Sequence, residues 1–179
     1  PPDDDDPEGW AMRRARILIY AGDNREAAVL LSGLIDRQSG VDNNFADRYL
    51  QVLFDLQTVG YHREALALLE SLYGHVDSAP LQREILFWQA DSQSALKNHR
   101  AAAELYLRSA THNGQSGGDP WGHTARYRAA EELGRAGLAR DARDVYSRLL
   151  AVTAEPARRT VIERQIQQLW LAGRQTTTP

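Results

Sequence analysis

Five histidines, His62, His75, His99, His112 and His123, are the side chains of this sequence best suited to proton transfer or metal ligation. No two of them share the three- or four-residue spacing that places a pair of ligands on one helix face, so no metal site is predicted. Carboxylates are plentiful, and Glu131-Glu132 or Asp141 with Asp144 could be drawn as an acid/base pair. Neighbouring residues on a helix point to different faces, however, and Arg140, Arg143 and Arg148 interleave with the aspartates as they do in surface ion pairs. Glycosidase-type chemistry needs two carboxyl groups opposed across a cleft, which linear spacing does not establish. Gly114-Gln115-Ser116-Gly117-Gly118 follows a helical stretch and lacks the lysine of a phosphate loop, so it reads as a flexible connector. There is no GxSxG, P-loop or GxGxxG pattern, and no cysteine to serve as nucleophile, disulfide or zinc thiolate. No catalytic, cofactor-binding or metal-binding residue is predicted, and the chain is expected not to be an enzyme.

Composition supports that reading. Hydrophobic residues make up 42% of 179, enough for a core, and no apolar run approaches the roughly 18 residues of a membrane span. The net charge of −3 offers nucleic acid no basic surface. Lys97 is the one lysine against an otherwise arginine-based positive charge. The chain opens Pro1-Pro2-Asp3 without an initiator methionine, which predicts a processed chain or a segment of a longer one. Residues 1–8 are acidic and proline-rich and read as a solvated, disordered leader, with Asp6 and Pro7 placed to start the first helix.

The elements that would position any site repeat at one interval. Gly22, Gly60, Asn98 and Gly137 lie 38, 38 and 39 residues apart; Ala27, Ala65, Ala103 and Ala142 keep the same steps. So do Leu31, Leu69, Leu107 and Tyr146, and Leu34, Leu72, Ala110 and Leu149. Apolar residues between the breakers fall at helical spacing, with almost no strand signal. Helices are predicted near 7–21, 24–38, 43–59, 61–74, 79–96, 99–112, 120–136, 138–152 and 156–172. Glycine or asparagine in the first column is expected to take the left-handed conformation that ends a helix. Ser78 and Asp119 read as N-caps beside Pro80 and Pro120.

These units resemble tetratricopeptide repeats (TPR), in which an alanine follows the turn of a helical hairpin and a large apolar residue comes four places later. The pairs here are Ala27 and Leu31, Ala65 and Leu69, Ala103 and Leu107, Ala142 and Tyr146. The position seven residues before each turn, small in that family, holds Ala15, Leu53, Asp91 and Ala130, so Leu53 and Asp91 depart from the pattern. The period also exceeds the usual length of about 34 residues. The resemblance implies an all-α, right-handed α-solenoid of four TPR-like hairpins (about 9–42, 43–78, 79–118 and 119–155). A capping helix over 156–172 closes a single superhelical domain spanning 9–172, and a disordered tail follows at 173–179.

In such repeats the inner face of the first helices lines a binding groove. The corresponding positions are Arg16, Tyr20, Leu50, Phe54, Trp88, Ser92, Tyr127 and Glu131. The apolar members Leu50, Phe54 and Trp88 fit a core role equally well. The expected function is a non-enzymatic protein–protein interaction scaffold that binds a protein or peptide, within a larger bacterial cell-envelope or periplasmic protein. The alternative is a polysaccharide-binding or exopolysaccharide-export helper using Trp10, Trp88, Trp121 and Trp170 with arginines. A third reading is a homo-oligomer formed through the C-terminal helix.

Overall fold

The computed structural model describes residues 6–114 and 119–175. The expectations for the residues before Asp6, for the connector at 115–118 and for the tail at 176–179 lie outside the described residues. Nine α-helices and one 3-10 turn make up the described chain: α1 (Pro7–Ala21), α2 (Asn24–Ile35), α3 (Asn43–Thr58), α4 (His62–His75), α5 (Ala79–Ala95), α6 (His99–Ala110), the turn His112–Gly114, α7 (Pro120–Arg135), α8 (Ala139–Val152) and α9 (Pro156–Gln175). α2 stops three residues before the predicted end, and α9 runs three residues past it. None of these helices is long and apolar enough to cross a membrane.

Local chemistry sets the starts. Asp6, Asp42 and Asp119 each accept the backbone N–H three residues on, at 2.8, 2.7 and 3.0 Å, satisfying a donor that the helix itself leaves open. Ser78 occupies the N-cap position of α5 but makes no side-chain capping bond, while Pro80 in the first turn removes one of the donors a cap would satisfy.

The chain divides between Leu96 and Lys97 into two compact units. In unit 1, α1 pairs with α2 and α3 with α4, while α1 also packs on α3, α2 on α4, and α3 and α4 on α5. First helices thus meet first helices and second helices meet second helices, which is translational stacking. Its core runs through Met12, Leu31, Ile35, Tyr49, Leu53 and Leu69, all at most 4% exposed. Burying a side chain of this size contributes roughly 1.5–3 kcal/mol. In unit 2, α7 packs against α6 and α8, and α9 packs on α8. Ile162 of α9 joins Ala130, Tyr146 and Leu149 in the core, with Ile166 and Leu169 partly buried against them. Val161, Trp170 and Leu171 of α9 are exposed.

The third turn corrects the predicted register. Gly22, Gly60 and Gly137 are left-handed, with φ of 89°, 86° and 78°. Asn98 is not, at φ −84°; Lys97 takes the left-handed position at φ 63°. Ala102 then makes the first-turn bond to Asn98 O at 3.0 Å, as Ala27 does to Asp23 O and Ala65 to Tyr61 O. The buried column is therefore Leu31, Leu69, Tyr106 and Tyr146, each at most 2% exposed, while Leu107 is half-buried. The steps between turns are 38 residues from Gly22 to Gly60, 37 to Lys97 and 40 to Gly137. The same shift places Ala90, fully buried, in the small-residue column and turns Asp91 to a half-buried position. Asp91 is thus no departure from the pattern. Leu53 remains one, and it is fully buried.

Candidate functional site

The first helices of unit 1 carry most of the predicted contact residues. Arg16 lies on α1 and Asp55 on α3, one repeat apart. The Arg16 Nε donates to Asp55 Oδ2 at 2.8 Å, and its Nη2 reaches the Tyr20 hydroxyl at 3.4 Å. The Tyr20 hydroxyl and the Asp55 carboxylate together raise the guanidinium pKa above its ordinary value. Tyr20 itself is 71% exposed. The pair makes a polar rim on α1 and α3.

Beside it the surface becomes aromatic. Phe54 of α3 meets Trp88 of α5 with ring centroids 4.5 Å apart, and Phe87 stands edge-on to Trp88 at 5.5 Å. The Trp88 indole donates to Glu84 at 3.2 Å. Both Phe54 and Trp88 are half-buried against the core, so each presents one ring edge and packs with the other. Aromatic side chains held this way lose little freedom on binding and serve well as interface anchors.

Leu50 and Ser92 do not reach a surface. Leu50 is 2% exposed and belongs to the core. Ser92 is fully buried, and its Oγ accepts Gln57 Nε2 at 2.7 Å, while the same amide also donates to Trp88 O. For Ser92 the reason is the register of the third turn: counted from Lys97, the corresponding positions are Phe87 and Asp91, one residue before Trp88 and Ser92; Leu50 keeps its register and is a core residue.

In unit 2, Tyr127 of α7 stands edge-to-face with Tyr146 of α8 at 5.4 Å. Burial, followed by the nearby Glu131 carboxylate, pushes the Tyr127 hydroxyl up in pKa. Glu131 is half-buried and pairs with Arg128 at 3.6 Å. Its neighbour Glu132 is not the surface ion pair expected for these acids. It is 2% exposed, it accepts His99 Nδ1 at 2.7 Å, and it pairs with Arg135. Two donors compensate the buried carboxylate, which ties α6 to α7. No one-repeat equivalent carries the same pair, so the periodicity held no trace of it. The Arg16–Asp55 pair is different, since opposite charges at about one period on adjacent first helices are a readable signal.

The tryptophans are dispersed. Trp10 lies under Arg14, Trp121 donates its indole N–H to Ser109, and Trp170 sits on α9 under the Arg143 guanidinium at 5.1 Å. Among the described residues, no group of three or more histidine, aspartate or glutamate side chains could hold a metal ion.

The fold matches that of a solved structure, a variant of nearly identical TPR-like repeats from a protein of Podosopora anserina described as a kinesin light chain. The TM-score is 0.65 at 17% identity, over 92% of this chain and 85% of that one. No protein-family model matches the chain, and no curated protein does. The chain has a TPR-like fold, an all-α helical repeat of the solenoid class, as the periodicity predicted.

Proposed function

We propose that this chain is a protein-interaction module that catalyses no reaction, and that the first-helix face of unit 1 receives a protein or peptide partner. The observation that carries the reading is the pairing, on α1, α3 and α5, of an exposed polar rim (Arg16, Tyr20) with half-buried ring edges (Phe54, Trp88). Stacked hairpins present such faces as continuous surfaces, and each repeat contributes side chains at the same height. Counted from the turn glycines, Glu131 on α7 occupies the position of Arg16 and Phe54, and with its neighbour Tyr127 it belongs to the same reading for unit 2. Placement in a bacterial cell envelope extends the proposal; the arginine-based composition and the lack of cysteine support it.

The test is capture of partners by the immobilised chain, compared between wild type and the Arg16→Ala/Tyr20→Ala double variant. These side chains are exposed, so the double variant should keep its helical content and melting curve. Partners recovered by wild type are expected to be lost from the variant. Equal capture by both proteins, or turnover of a small substrate by the wild type, would remove the assignment.

A further inference from the structure

Charge is divided unevenly between the two units. Residues 1–96 hold 8 arginines against 16 acidic side chains, and residues 97–179 hold 13 basic side chains against 8 acidic ones. Unit 1 is therefore net −8 and unit 2 net +5, a contrast that the overall −3 conceals. Opposite charge on two parts of one molecule draws unlike surfaces of separate copies together.

Unit 2 carries part of its excess beside an apolar groove. The groove, of about 520 Å³, lies between α6 and the turn that joins α7 to α8, with Leu107, Leu133 and Leu138 half-buried in its wall. Arg100, Glu104 and Arg108 follow one another at four-residue intervals along α6 and form its rim. All three are exposed, and neither guanidinium has an ion-pair or hydrogen-bond partner among the described residues. The turn before α6 adds Lys97, exposed and equally unpaired. Arg100 and Arg108 are attached about 12 Å apart along the helix.

Unit 1 has a complementary pattern at the end of α4. Glu70 and Asp77 are exposed and make no ion pair among the described residues. They are attached roughly 10–14 Å apart, since α4 ends at His75 and the chain continues extended. Tyr73 lies one turn from Glu70 on the same face, half-buried against the core. The end of α4 thus offers two carboxylates and a ring, where α6 offers two guanidiniums and an apolar wall.

We propose that the α6 groove of one copy receives the α4 end of a second copy, with Arg100 and Arg108 meeting Glu70 and Asp77 and the Tyr73 ring set against Leu107 and Leu138. The contact joins unlike surfaces, so it passes from copy to copy unless it closes a ring. It uses neither Arg16 nor Tyr20 and goes beyond the partner face assigned above. Exposed ion pairs contribute little singly, so the charge of the whole units adds to these contacts, and salt weakens both.

Sedimentation velocity of the full chain tests the contact at about 0.01 M and about 1 M salt, where charges are screened beyond roughly 30 Å and roughly 3 Å. Association is expected at the lower salt and monomer at the higher. Arg100→Glu/Arg108→Glu and, separately, Glu70→Arg/Asp77→Arg should each sediment as monomer at low salt. An equimolar mixture of the two should associate again, because each reversed surface then meets its opposite. Should the first variant lack native circular dichroism, Arg100→Gln/Arg108→Gln replaces it and should weaken association roughly tenfold. A wild type that is monomeric at low salt overturns the proposal, as do association that a folded variant retains in full and a mixture that fails to associate. Each of those outcomes leaves capture by the Arg16 and Tyr20 face standing.

Discussion

Arg48 on α3 donates to the carboxylate of Asp6 at 2.9 Å, so the residue that caps α1 also ties α1 to its neighbouring first helix. Gly9 lies directly beneath this contact: a Cβ there would run into the Arg48 guanidinium and the Asp6 carboxylate. The obstructing atoms are the ends of flexible side chains, which can move aside but then give up the cap and the ion pair. Gly9→Ala is therefore expected to lower stability modestly, through loss of the N-cap and of a surface ion pair together. Denaturant unfolding measures it, and an unchanged midpoint would show that the contact is not structural.

The same pair predicts an acid response. The Arg48 hydrogen bond and the Gly9 N–H hold the Asp6 carboxyl below its ordinary pKa of 3.8. A carboxylate with a depressed folded pKa stabilises fully above its unfolded value, and that share fades as pH falls towards the folded pKa. The α1–α3 tie should thus be intact at pH 5 and weaken on acidification below about 4. Asp6→Asn should flatten that part of the stability–pH curve. A curve of identical shape in wild type and variant would place the acid sensitivity elsewhere.

Lys97 holds the left-handed conformation that glycine holds in the other turns, and a side chain costs about 1 kcal/mol in that region. Lys97→Gly should stabilise the chain by up to that amount, less the added freedom glycine brings to the unfolded state. Asn98→Gly relieves no such strain, because Asn98 has φ −84°. Thermal melts of the two variants separate the alternatives, and stabilisation by Asn98→Gly alone would restore the register predicted from the sequence.

Two buried tyrosines should respond oppositely to loss of the hydroxyl. Tyr49 donates to Leu31 O at 2.9 Å, whereas the buried Tyr146 hydroxyl makes no well-formed hydrogen bond and meets only the Tyr127 hydroxyl. Tyr49→Phe is expected to cost about 1 kcal/mol and Tyr146→Phe to be neutral or slightly stabilising. Burial raises both hydroxyl pKa values well above 10.0. Their contribution is therefore complete below the unfolded pKa near 10 and is lost as pH climbs beyond it. Phenolate absorbance should show these two tyrosines ionising together with unfolding; early titration of either would contradict the burial.

The helices of the described residues and most of their limits were legible in the sequence, because a repeated unit states each structural demand several times over. Glycine recurs where a helix must end left-handed, alanine where two helices approach, and a large residue where the gap must be filled. Tyr20 and Arg16 were legible as surface for the same reason.

Where neighbouring residues serve a column equally well, the chain alone is silent. Ala102 and Ala103 both satisfy the small position, and Tyr106 and Leu107 both satisfy the large one. A shift of one residue turns every side chain by about 100° around the helix. Packing made that choice, and with it sent Ser92 inward, brought Ala90 to the small column and left Asp91 half-buried. The His99–Glu132 contact and the groove between α6 and Leu138 arise in the same way, from the three-dimensional placement of residues that no periodicity relates. Linear order sets which residues repeat, whereas only the folded chain shows which of them fill the space between helices and where one such space stays open.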